Sequence, residues 1–522
     1  MNKSKKYEKK EWTYVLLVAI IAVLLINIPL IVGKITEGPN EVFTGIPVHV
    51  TDANSHLHLI LQVKEGAILT TNKFTQEEVP ALLFNPYHLV LGWTALVFDA
   101  NVVVIYNIFN IIFALVFFFV LYYFLSEFIK DKTTRLIALV ISAFASGLAF
   151  WWSIVKKITG YNFGSAEMWV TDMNVFTSLG IPHFVLSMSL LLLVFLFAFR
   201  SFEKKDIKNA VYAGLIGLLL TLIHIFDTVT FAFILTAYFI VRQIKKTWNW
   251  KEFRSLVIIG AITLPGVIYY AWVFVFNPAY AEWNSLNQVL TPRLVGMISG
   301  FGIALFLSLI YIYLKRKQIF SKKIVPADFI VVWLIANFIL IYIPSNVQVR
   351  FSLGMFIPMC MLSAIVINEN VIPYIKNNWQ RTAAITIIIL IMSATSFYII
   401  SVRLQNLHSN EVSEYGNVKY LSKAEYETLI WIDKNIPNEA IIFAPHKISN
   451  YIPAITGNKI YSGHWAQTID FQKKYNLANR AYKEGLFPEF FGVDYVIWYE
   501  EITEKEPLYQ GKEIYIYEAS GY

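Results

Sequence analysis

The stretch TDANSHLHLI, residues 51–60, places a carboxylate and an imidazole four positions apart, at Asp52 and His56. Residues four apart lie on one face of a helix, so the two side chains are expected to be neighbours. A carboxylate within hydrogen-bond reach of a hydroxyl accepts its proton, and an imidazole can orient that carboxylate. The pair therefore has the chemistry of a general base and its partner. Asp52 equally suits the N-cap of the same helix, which is a purely structural role.

The helix predicted for this stretch has two distinct faces. Asp52 and His56 share a face with the apolar residues Leu59 and Val63, so they are predicted to point into the protein or the membrane edge. His58 lies on a polar stripe, and we interpret it as an ordinary surface residue. The stripe consists of Asn54, Ser55, His58, Gln62 and Glu65. A helix with such faces is typical of the membrane–water interface.

Six more ionisable residues occur beside predicted membrane segments, and together with Asp52 and His56 they come from five separate stretches. Ionisable groups at the edges of spanning helices are functional candidates by default. Each also has a structural explanation, such as a solvated loop acid, an interfacial residue, a helix-start contact or a partner for free backbone groups. The six substrate-binding candidates are His88, Glu167, Asp172, His183, His224 and Asp227.

Two arginines begin predicted membrane segments: Arg350, in SNVQVRFSLGMF, and Arg293, in NQVLTPRLVG. A guanidinium suits phosphate, which it can hold through two hydrogen bonds. Ordinary phospholipid headgroups offer the same contact. We expect Arg350, and then Arg293, to bind the phosphate of a lipid.

The elements that position these residues are membrane helices. The chain has 522 residues, of which 57% are hydrophobic and only 15% charged, whereas soluble domains carry about 25% charged residues. A spanning helix needs about 20 apolar residues. Eleven segments qualify: 12–33, 101–128, 134–152, 181–200, 209–225, 226–243, 255–276, 293–314, 327–344, 350–368 and 382–402. The fifth and sixth adjoin at HIFDT, which we interpret as a tight re-entry at one membrane face.

The charged loops indicate the orientation. With the N-terminus in the cytoplasm, the inner loops contain the basic stretches FIKDKTTR, FRSFEKKDIKN, VRQIKKTWNWKEFR, LKRKQIFSKK and IKNNWQR. The short outer loops are nearly free of lysine and arginine, as the positive-inside rule requires. The predicted localisation is the plasma membrane, with all the candidate residues near the outer leaflet. The net charge of +7 thus reflects membrane topology and not nucleic-acid binding.

Two domains are predicted. Residues 1–404 form the transmembrane domain, with long outer loops at 33–100 and 153–180. Residues 405–522 regain charged and turn residues and form an extracytoplasmic α/β domain. Its amphipathic helix is ETLIWIDKNI, and its strands are AIIFA, YVIWY and EIYIYE. The lone Cys360 excludes a disulfide framework and cysteine metal sites. No phosphate-binding loop or dinucleotide fingerprint is present, so any activated substrate arrives in the membrane or at its outer face.

These features resemble the GT-C superfamily of membrane glycosyltransferases, especially prokaryotic members with a small C-terminal outer domain. The resemblance rests on Asp52 in a long first outer loop, on HIFDTVTF between paired short helices, on NPAYAEWNSLNQVLTPRLVGMISGFG, and on the arginine-bearing VQVRFSLGMFIPM. ITGNKIYSGHWAQT, which contains His464, is a further point of likeness. The chain departs from the commonest family pattern because His56, and not a second acid, accompanies Asp52.

The resemblance implies a reaction. Such enzymes move a sugar from a polyprenyl-phosphate donor to a glycan, lipid or protein acceptor outside the cytoplasm, with inversion at the anomeric carbon. The general base would be Asp52, assisted by His56. Arg350 or Arg293 would hold the leaving phosphate, and His464 would lie near the cavity. No cofactor is certain, although a divalent metal is possible. The alternatives are a transporter or assembly protein for lipid-linked glycans, disfavoured because no internal repeat is evident, and a glycan ligase or polymerase.

Overall fold

The structure is a computed structural model, and it describes residues 9–246, 248–409, 418–488, 491–502 and 505–519. Most of the basic N-terminal stretch MNKSKKYEKK, on which the predicted orientation partly depends, therefore lies outside the described residues. The first eleven α-helices are α1 Lys9–Ile26, α2 Ile28–Ile35, α3 Val50–Lys64, α4 Pro86–Val97, α5 Val102–Phe128, α6 Lys132–Phe144, α7 Ala149–Thr159, α8 Val175–Ser178, α9 Pro182–Lys204, α10 Ile207–Ile223 and α11 Phe226–Lys245. The others are α12 Trp250–Ala271, α13 Pro278–Leu286, α14 Leu294–Leu314, α15 Arg316–Ile319, α16 Pro326–Leu340, α17 Phe356–Val366, α18 Asn378–Gln405, α19 Lys423–Asn435, α20 His446–Ser449, α21 Ile452–Ile455 and α22 Phe471–Glu484.

Long apolar helices dominate the fold. Among the described residues, seven helical segments are long and apolar enough to cross a membrane: Val102–Phe128, Pro182–Lys204, Phe226–Lys245, Trp250–Phe276, Leu294–Leu314, Gln348–Tyr374 and Asn378–Gln405. They coincide with seven of the predicted spans. The pairs α1–α2 and α6–α7, bent by 42° and 57°, match two more and bring the count within this part of the chain to nine. The two remaining predicted spans, 209–225 and 327–344, correspond to the shorter helices α10 and α16. The protein is therefore a multi-pass membrane protein, and the predicted total of eleven spans stays a prediction.

The predicted break at HIFDT is confirmed. Helix α10 ends at Ile223 and α11 begins at Phe226, so the chain reverses over two residues. Helix α14 contains a second break, at Gly302, whose φ of 53° is a conformation that glycine adopts without strain. A Cβ at this position would press on the backbone of Gly147, 3.0 Å away. The glycine thus allows α14 to pack directly against the segment between α6 and α7.

The chain divides into two compact units. Unit 1 consists of Met1–Asn27, Phe109–Tyr269 and Gln288–Ser401. Unit 2 consists of Ile28–Ile108, Tyr270–Asn287 and Val402–Tyr522. The C-terminal residues thus form one unit with the first long loop. The predicted domain boundary between residues 404 and 405 stays a prediction.

Unit 2 contains a mixed β-sheet. Its described strands are β1 Glu41–Phe43, β2 Tyr420–Ser422, β3 Ile441–Phe443, β4 Lys459–Ile460, β5 Tyr495–Trp498, β6 Tyr509–Gln510 and β7 Tyr515–Glu518. Five of them form a sheet in the order β4-β3-β5-β7-β6. Strands β3, β4 and β5 are parallel, whereas β7 runs antiparallel to β5 and β6. The predicted strands AIIFA, YVIWY and EIYIYE correspond to β3, β5 and β7, and the predicted amphipathic helix corresponds to α19.

The first loop is joined to this α/β part through backbone hydrogen bonds. Strand β1 pairs antiparallel with β2, with Val42 opposite Leu421. An isolated bridge also joins Thr75 to Ser462. Helix α3, which carries Asp52, is therefore held within unit 2 by segments from both ends of the chain.

Candidate active site

Asp52 lies in the first turn of α3, and the residue before this helix is His49. His49 has a left-handed backbone conformation, and its side chain makes no capping bond. Asp52 therefore does not occupy the N-cap position, and the structural alternative for this residue is wrong. Its carboxylate is half exposed, at 50%, which leaves it accessible to a substrate.

Three residues of the polar stripe, Asn54, His58 and Gln62, are buried, so the interpretation of His58 as a surface residue is wrong. Asn54 donates to the backbone carbonyl and the side-chain oxygen of Asn450, both at 3.1 Å. His58 is 1% exposed, and its Nδ1 lies 3.3 Å from the carbonyl oxygen of Asn54. Residues of the same unit cover this face, which is why polarity along the helix did not indicate exposure. Burial lowers the pKa of His58 to about 3, so the ring is neutral at neutral pH.

His56 is bonded to His88, another of the predicted candidates. Nδ1 of His56 lies 3.0 Å from Nε2 of His88, so one ring donates and the other accepts. Helix α4 positions His88, and Asn85 caps the helix by accepting from the amide of Tyr87 at 2.9 Å. His88 is 4% exposed, and burial lowers its pKa well below its usual range. His88 is thus a buried, neutral partner of His56 and not an interfacial surface residue.

His464 comes from the C-terminal part of unit 2 and faces Asp52. Its Nε2 lies 4.0 Å from Oδ1 of Asp52, and its side chain is 4% exposed. The Phe74 ring separates His464 from His58, with ring centroids 5.5 Å and 4.9 Å away. Burial lowers the pKa of His464 to about 4. The candidate base therefore lies beside a buried, neutral imidazole, that of His464.

A second group of candidates lies in unit 1, where Arg350 forms an ion pair with Asp172. Nη1 of Arg350 donates to both carboxylate oxygens of Asp172, at 3.2 Å each. The guanidinium also lies over the ring of Phe184, with Cζ 5.5 Å from the centroid. Asp172 is 2% exposed, so its interpretation as a solvated loop acid is wrong. Burial raises the pKa of Asp172, and the charge of Arg350 opposes this effect.

The turn that carries Arg350 is fixed from the membrane side. Arg350 belongs to a 3₁₀ turn, Gln348–Ser352, directly before α17. Nδ2 of Asn337 donates to the carbonyl of Phe351 at 2.6 Å, and Nε1 of Trp333 donates to the Asn337 side chain at 3.2 Å. Both of these residues of α16 are fully buried. The position of the guanidinium therefore depends on a buried hydrogen-bond chain.

The break between α10 and α11 brings His224 and Asp227 together. Nδ1 of His224 lies 3.0 Å from Oδ2 of Asp227, and Asp227 is fully buried. The rings of His183 and Phe184 lie against His224, at centroid distances of 6.0 Å and 5.6 Å. Because Phe184 also contacts Arg350, five candidates of unit 1 form one continuous cluster: Asp172, His183, His224, Asp227 and Arg350.

Glu167 is buried and caps a helix. It is 1% exposed, and its Oε1 accepts from the amide of Ala149, the first residue of α7, at 3.0 Å. A Cβ at Gly147 would collide with the same carboxylate, so the glycine makes room for it. Burial raises the pKa of Glu167 from 4.5 to about 6. The interpretation of Glu167 as a solvated loop acid is wrong, since the residue satisfies a buried helix end.

We expect Glu167→Gln to stabilise the protein at neutral pH. The folded-state pKa is raised, so folding favours the protonated acid; that contribution is complete below about pH 4.5 and is lost as the pH rises through 6. With each pKa unit worth about 1.4 kcal/mol, the ionised carboxylate costs at most about 2 kcal/mol at pH 7. The amide retains the acceptor for Ala149 and does not ionise. Thermal unfolding in detergent at pH 4.5, 6 and 7.5 checks the difference.

The control for this experiment is Glu506→Gln, because Glu506 is exposed. Its unfolding temperature should follow that of the unmodified protein at every pH. Equal unfolding temperatures for Glu167→Gln and the unmodified protein at pH 7.5 would contradict the burial argument.

The remaining predictions concern Arg293 and a metal. Arg293 is exposed and precedes α14 directly, so it is accessible, and its role at a phosphate stays a prediction. In the described ranges, no group of three or more histidine, cysteine, aspartate or glutamate side chains is placed to hold a metal ion. The chemistry is therefore derived from the side chains alone.

Sequence reasoning missed the residues that hold α3 in place. Asn450 bonds Asn54, and Nζ of Lys73 donates to the carbonyl of Gly457 at 2.5 Å. Nζ of Lys474 donates to Glu77 at 2.5 Å. These contacts join the first loop to residues far along the chain, so no local signal marks them.

The fold defines the class: this is a multi-pass membrane protein with the fold of GT-C proteins of known structure. ArnT from Cupriavidus metallidurans superimposes with a TM-score of 0.52 at 11% identity, over 98% of each chain. The Archaeoglobus fulgidus oligosaccharyltransferase, tethered to an acceptor peptide, gives 0.50 at 13%, over 94% of this chain and 69% of that one. The mycobacterial arabinofuranosyltransferase AftD gives 0.50 at 11%, over 99% of this chain and 40% of that one. No family model and no curated protein matches the sequence. The predicted resemblance to the GT-C superfamily is confirmed at the level of the fold.

Proposed function

We propose that the protein is a membrane glycosyltransferase that moves a sugar from a polyprenyl-phosphate donor to an acceptor hydroxyl at the extracytoplasmic face. The observation that carries the proposal is Asp52: a half-exposed carboxylate beside the buried, neutral imidazole of His464, in a chain with the GT-C fold. A fully solvated carboxylate needs no such surroundings, whereas a base that must accept a proton from a bound hydroxyl benefits from a fixed, partly dry setting. Solved neighbours described as an oligosaccharyltransferase and an arabinofuranosyltransferase support sugar transfer.

The chemistry follows from the residue types. The acceptor oxygen attacks the anomeric carbon as its proton passes to Asp52, and the bond from that carbon to the phosphate oxygen breaks. A single displacement of this kind inverts the configuration at the anomeric carbon. The polyprenyl phosphate leaves as an anion and needs no proton, so positive charge is sufficient to stabilise it. Arg350 is the first choice for this role and Arg293 the second.

The ion pair between Arg350 and Asp172 is compatible with the proposed binding of phosphate by Arg350. Its side chain retains 22% exposure while it bonds Asp172. The hydrogen bonds to Asp172 fix the orientation of the guanidinium, and the exposed part of the side chain is the part that we propose binds the phosphate.

The proposed orientation has its own test, because Cys360 is the lone cysteine and is buried. In a Cys360→Ala background, we introduce Lys512→Cys in unit 2 and, separately, Lys208→Cys at the start of α10; both lysines are exposed. The positive-inside rule places Lys208 in the cytoplasm and residues after 405 outside. A membrane-impermeant maleimide should label the cysteine at 512 in intact cells, and the cysteine at 208 only after permeabilisation. The reverse labelling pattern would contradict the orientation.

The test of the function is transfer of sugar from a synthetic polyprenyl-phosphate donor by the purified protein in liposomes. Transfer that depends on Asp52 supports the proposal. Movement of a lipid-linked glycan across the bilayer without transfer would favour the transporter alternative. Transfer of a preassembled glycan in preference to a single sugar would favour the ligase or polymerase alternative.

A further inference from the structure

The ring of His464 has one tautomer fixed by the backbone. Its Nδ1 accepts a hydrogen bond from the amide of Ala466 at 3.0 Å. A ring nitrogen that accepts carries no proton, so in the neutral imidazole the proton is on Nε2. Burial lowers the pKa of His464 to about 4, which keeps the ring neutral at neutral pH. His464 therefore presents a single N–H donor, at Nε2.

That donor lacks a hydrogen-bond partner. Within the described part of the chain, Nε2 of His464 is buried and makes no hydrogen bond. A buried donor without an acceptor destabilises a fold, so such atoms usually signal a missing or displaced partner. Oδ1 of Asp52 lies 4.0 Å away, about 1 Å beyond hydrogen-bond distance. A small rotation of the half-exposed Asp52 side chain closes this gap.

The turn that carries His464 is held by hydrogen bonds, and these fix the direction of the Nε2–H donor. The carbonyl of His464 accepts from the amides of Gln467 and Thr468, at 3.1 Å and 2.9 Å. The hydroxyl of Thr468 in turn donates to the carbonyl of Phe74 at 2.6 Å. The Phe74 ring then contacts the imidazole edge-on. The turn, the ring and the first loop are thus held as one piece, and Asp52 is the movable member of the pair.

We propose that His464 is the positioning residue for Asp52: its Nε2–H donates to the carboxylate, fixes the reactive rotamer and keeps the group ionised. This inference rests on the proposed role of Asp52 as the base. It differs from the sequence-based expectation, which gave the partner role to His56. His56 is bonded to His88, whereas His464 directs a free donor at the carboxylate.

The titratable groups around the pair are few. Tyr106 of α5 interacts electrostatically with Asp52, and His56 lies one turn further along α3. His446 at the start of α20 faces His464. Among the described residues, Asp52 is the carboxylate that interacts with His464, so it is the acceptor that the Nε2–H can reach.

The test is the pH profile of sugar transfer by the full-length protein. A hydrogen bond to the charged form lowers the pKa of an acid. His464→Phe retains the ring volume but removes the donor, so the acid limb of kcat/KM should move upward by about one pH unit. The rate at pH 7 should fall by about tenfold for a separate reason, because the carboxylate is no longer held in its reactive rotamer. His464→Gln retains a donor near the Nε2 position and should keep the acid limb in place. His58→Phe is the matched control, because it alters a second buried imidazole on the other side of Phe74.

Should His464→Phe not fold, His464→Asn gives the same comparison. The shorter amide still accepts from Ala466 but does not reach Asp52, so its acid limb should move while that of His464→Gln does not. An unmoved acid limb in both His464→Phe and His464→Asn, in a protein that Asp52→Asn inactivates, would overturn the role of His464 and leave the proposed function intact. Full transfer by Asp52→Asn would instead overturn the proposed function and this inference together.

Discussion

Replacing Asp52 by Asn should reduce sugar transfer by about 10²- to 10⁴-fold, which is the usual contribution of a general base. The substitution keeps the shape of the side chain and removes its basicity. Asp52 is half exposed and does not cap α3, so the fold does not depend on its charge. Binding of the polyprenyl-phosphate donor should therefore remain close to that of the unmodified protein. The measurement pairs a transfer assay in liposomes with a separate donor-binding assay.

The matched control is Asp99→Asn, because Asp99 belongs to the same unit and its side chain is 98% exposed. Its transfer rate should be unchanged, since surface substitutions away from a site have small effects. Full transfer by Asp52→Asn would show that Asp52 is not the base. The base would then be sought at Glu167 or Asp172, the buried acids of unit 1.

Replacing Arg350 by Ala should have two separable consequences. The first is structural: Asp172 is 2% exposed and would lose its partner. Removing one member of a buried ion pair typically costs 3–5 kcal/mol; because Arg350 is partly exposed, we expect a value near the lower end, about 3 kcal/mol. The second is functional: positive charge at the leaving phosphate is lost, so donor affinity and turnover should both fall.

The double variant Arg350→Ala/Asp172→Asn separates these consequences. Neutralising Asp172 removes the unpaired buried charge, so much of the unfolding free energy should return. Donor affinity should not return, because the guanidinium is still absent. Arg350→Lys should recover activity only in part, since an ammonium does not make the paired contact. Recovery of donor binding in the double variant would show that Arg350 serves only to neutralise Asp172, and Arg293→Ala would then be examined for the phosphate role.

The membrane helices were predictable because the thickness of the bilayer sets the length of a spanning helix. Each spanning helix requires about 20 apolar residues, and the predicted segments coincide with the observed helices. The bends at α1–α2 and α6–α7 were not predictable, since they depend on packing. Gly147 illustrates this: its role becomes visible only when the Glu167 carboxylate is found against it.

The sequence predicted which residue types belong to the candidate site. It did not predict which of these residues contact each other. Asp52 and His56 were identified because polar groups are costly beside a membrane, and His464 through the likeness of ITGNKIYSGHWAQT to the GT-C superfamily. The burial of His58 was missed. A polar stripe on a helix indicates exposure to solvent only if no polar part of the protein packs against that stripe. Its partner residues lie far along the chain, and an amphipathic pattern carries no information about them.

The composite origin of unit 2 has a consequence for biosynthesis. Strand β1 ends at Phe43, yet its partner β2 begins at Tyr420, and Asn54 bonds to Asn450. Ribosomes add about 5–20 residues per second, so the first loop exists for many seconds before its partners are made. Throughout that interval α3 has an unsatisfied polar face and β1 an unpaired edge, both of which attract wrong partners. A chaperone that binds the nascent chain during this interval would therefore protect a short stretch near its beginning until the C-terminal partners of that stretch are synthesised.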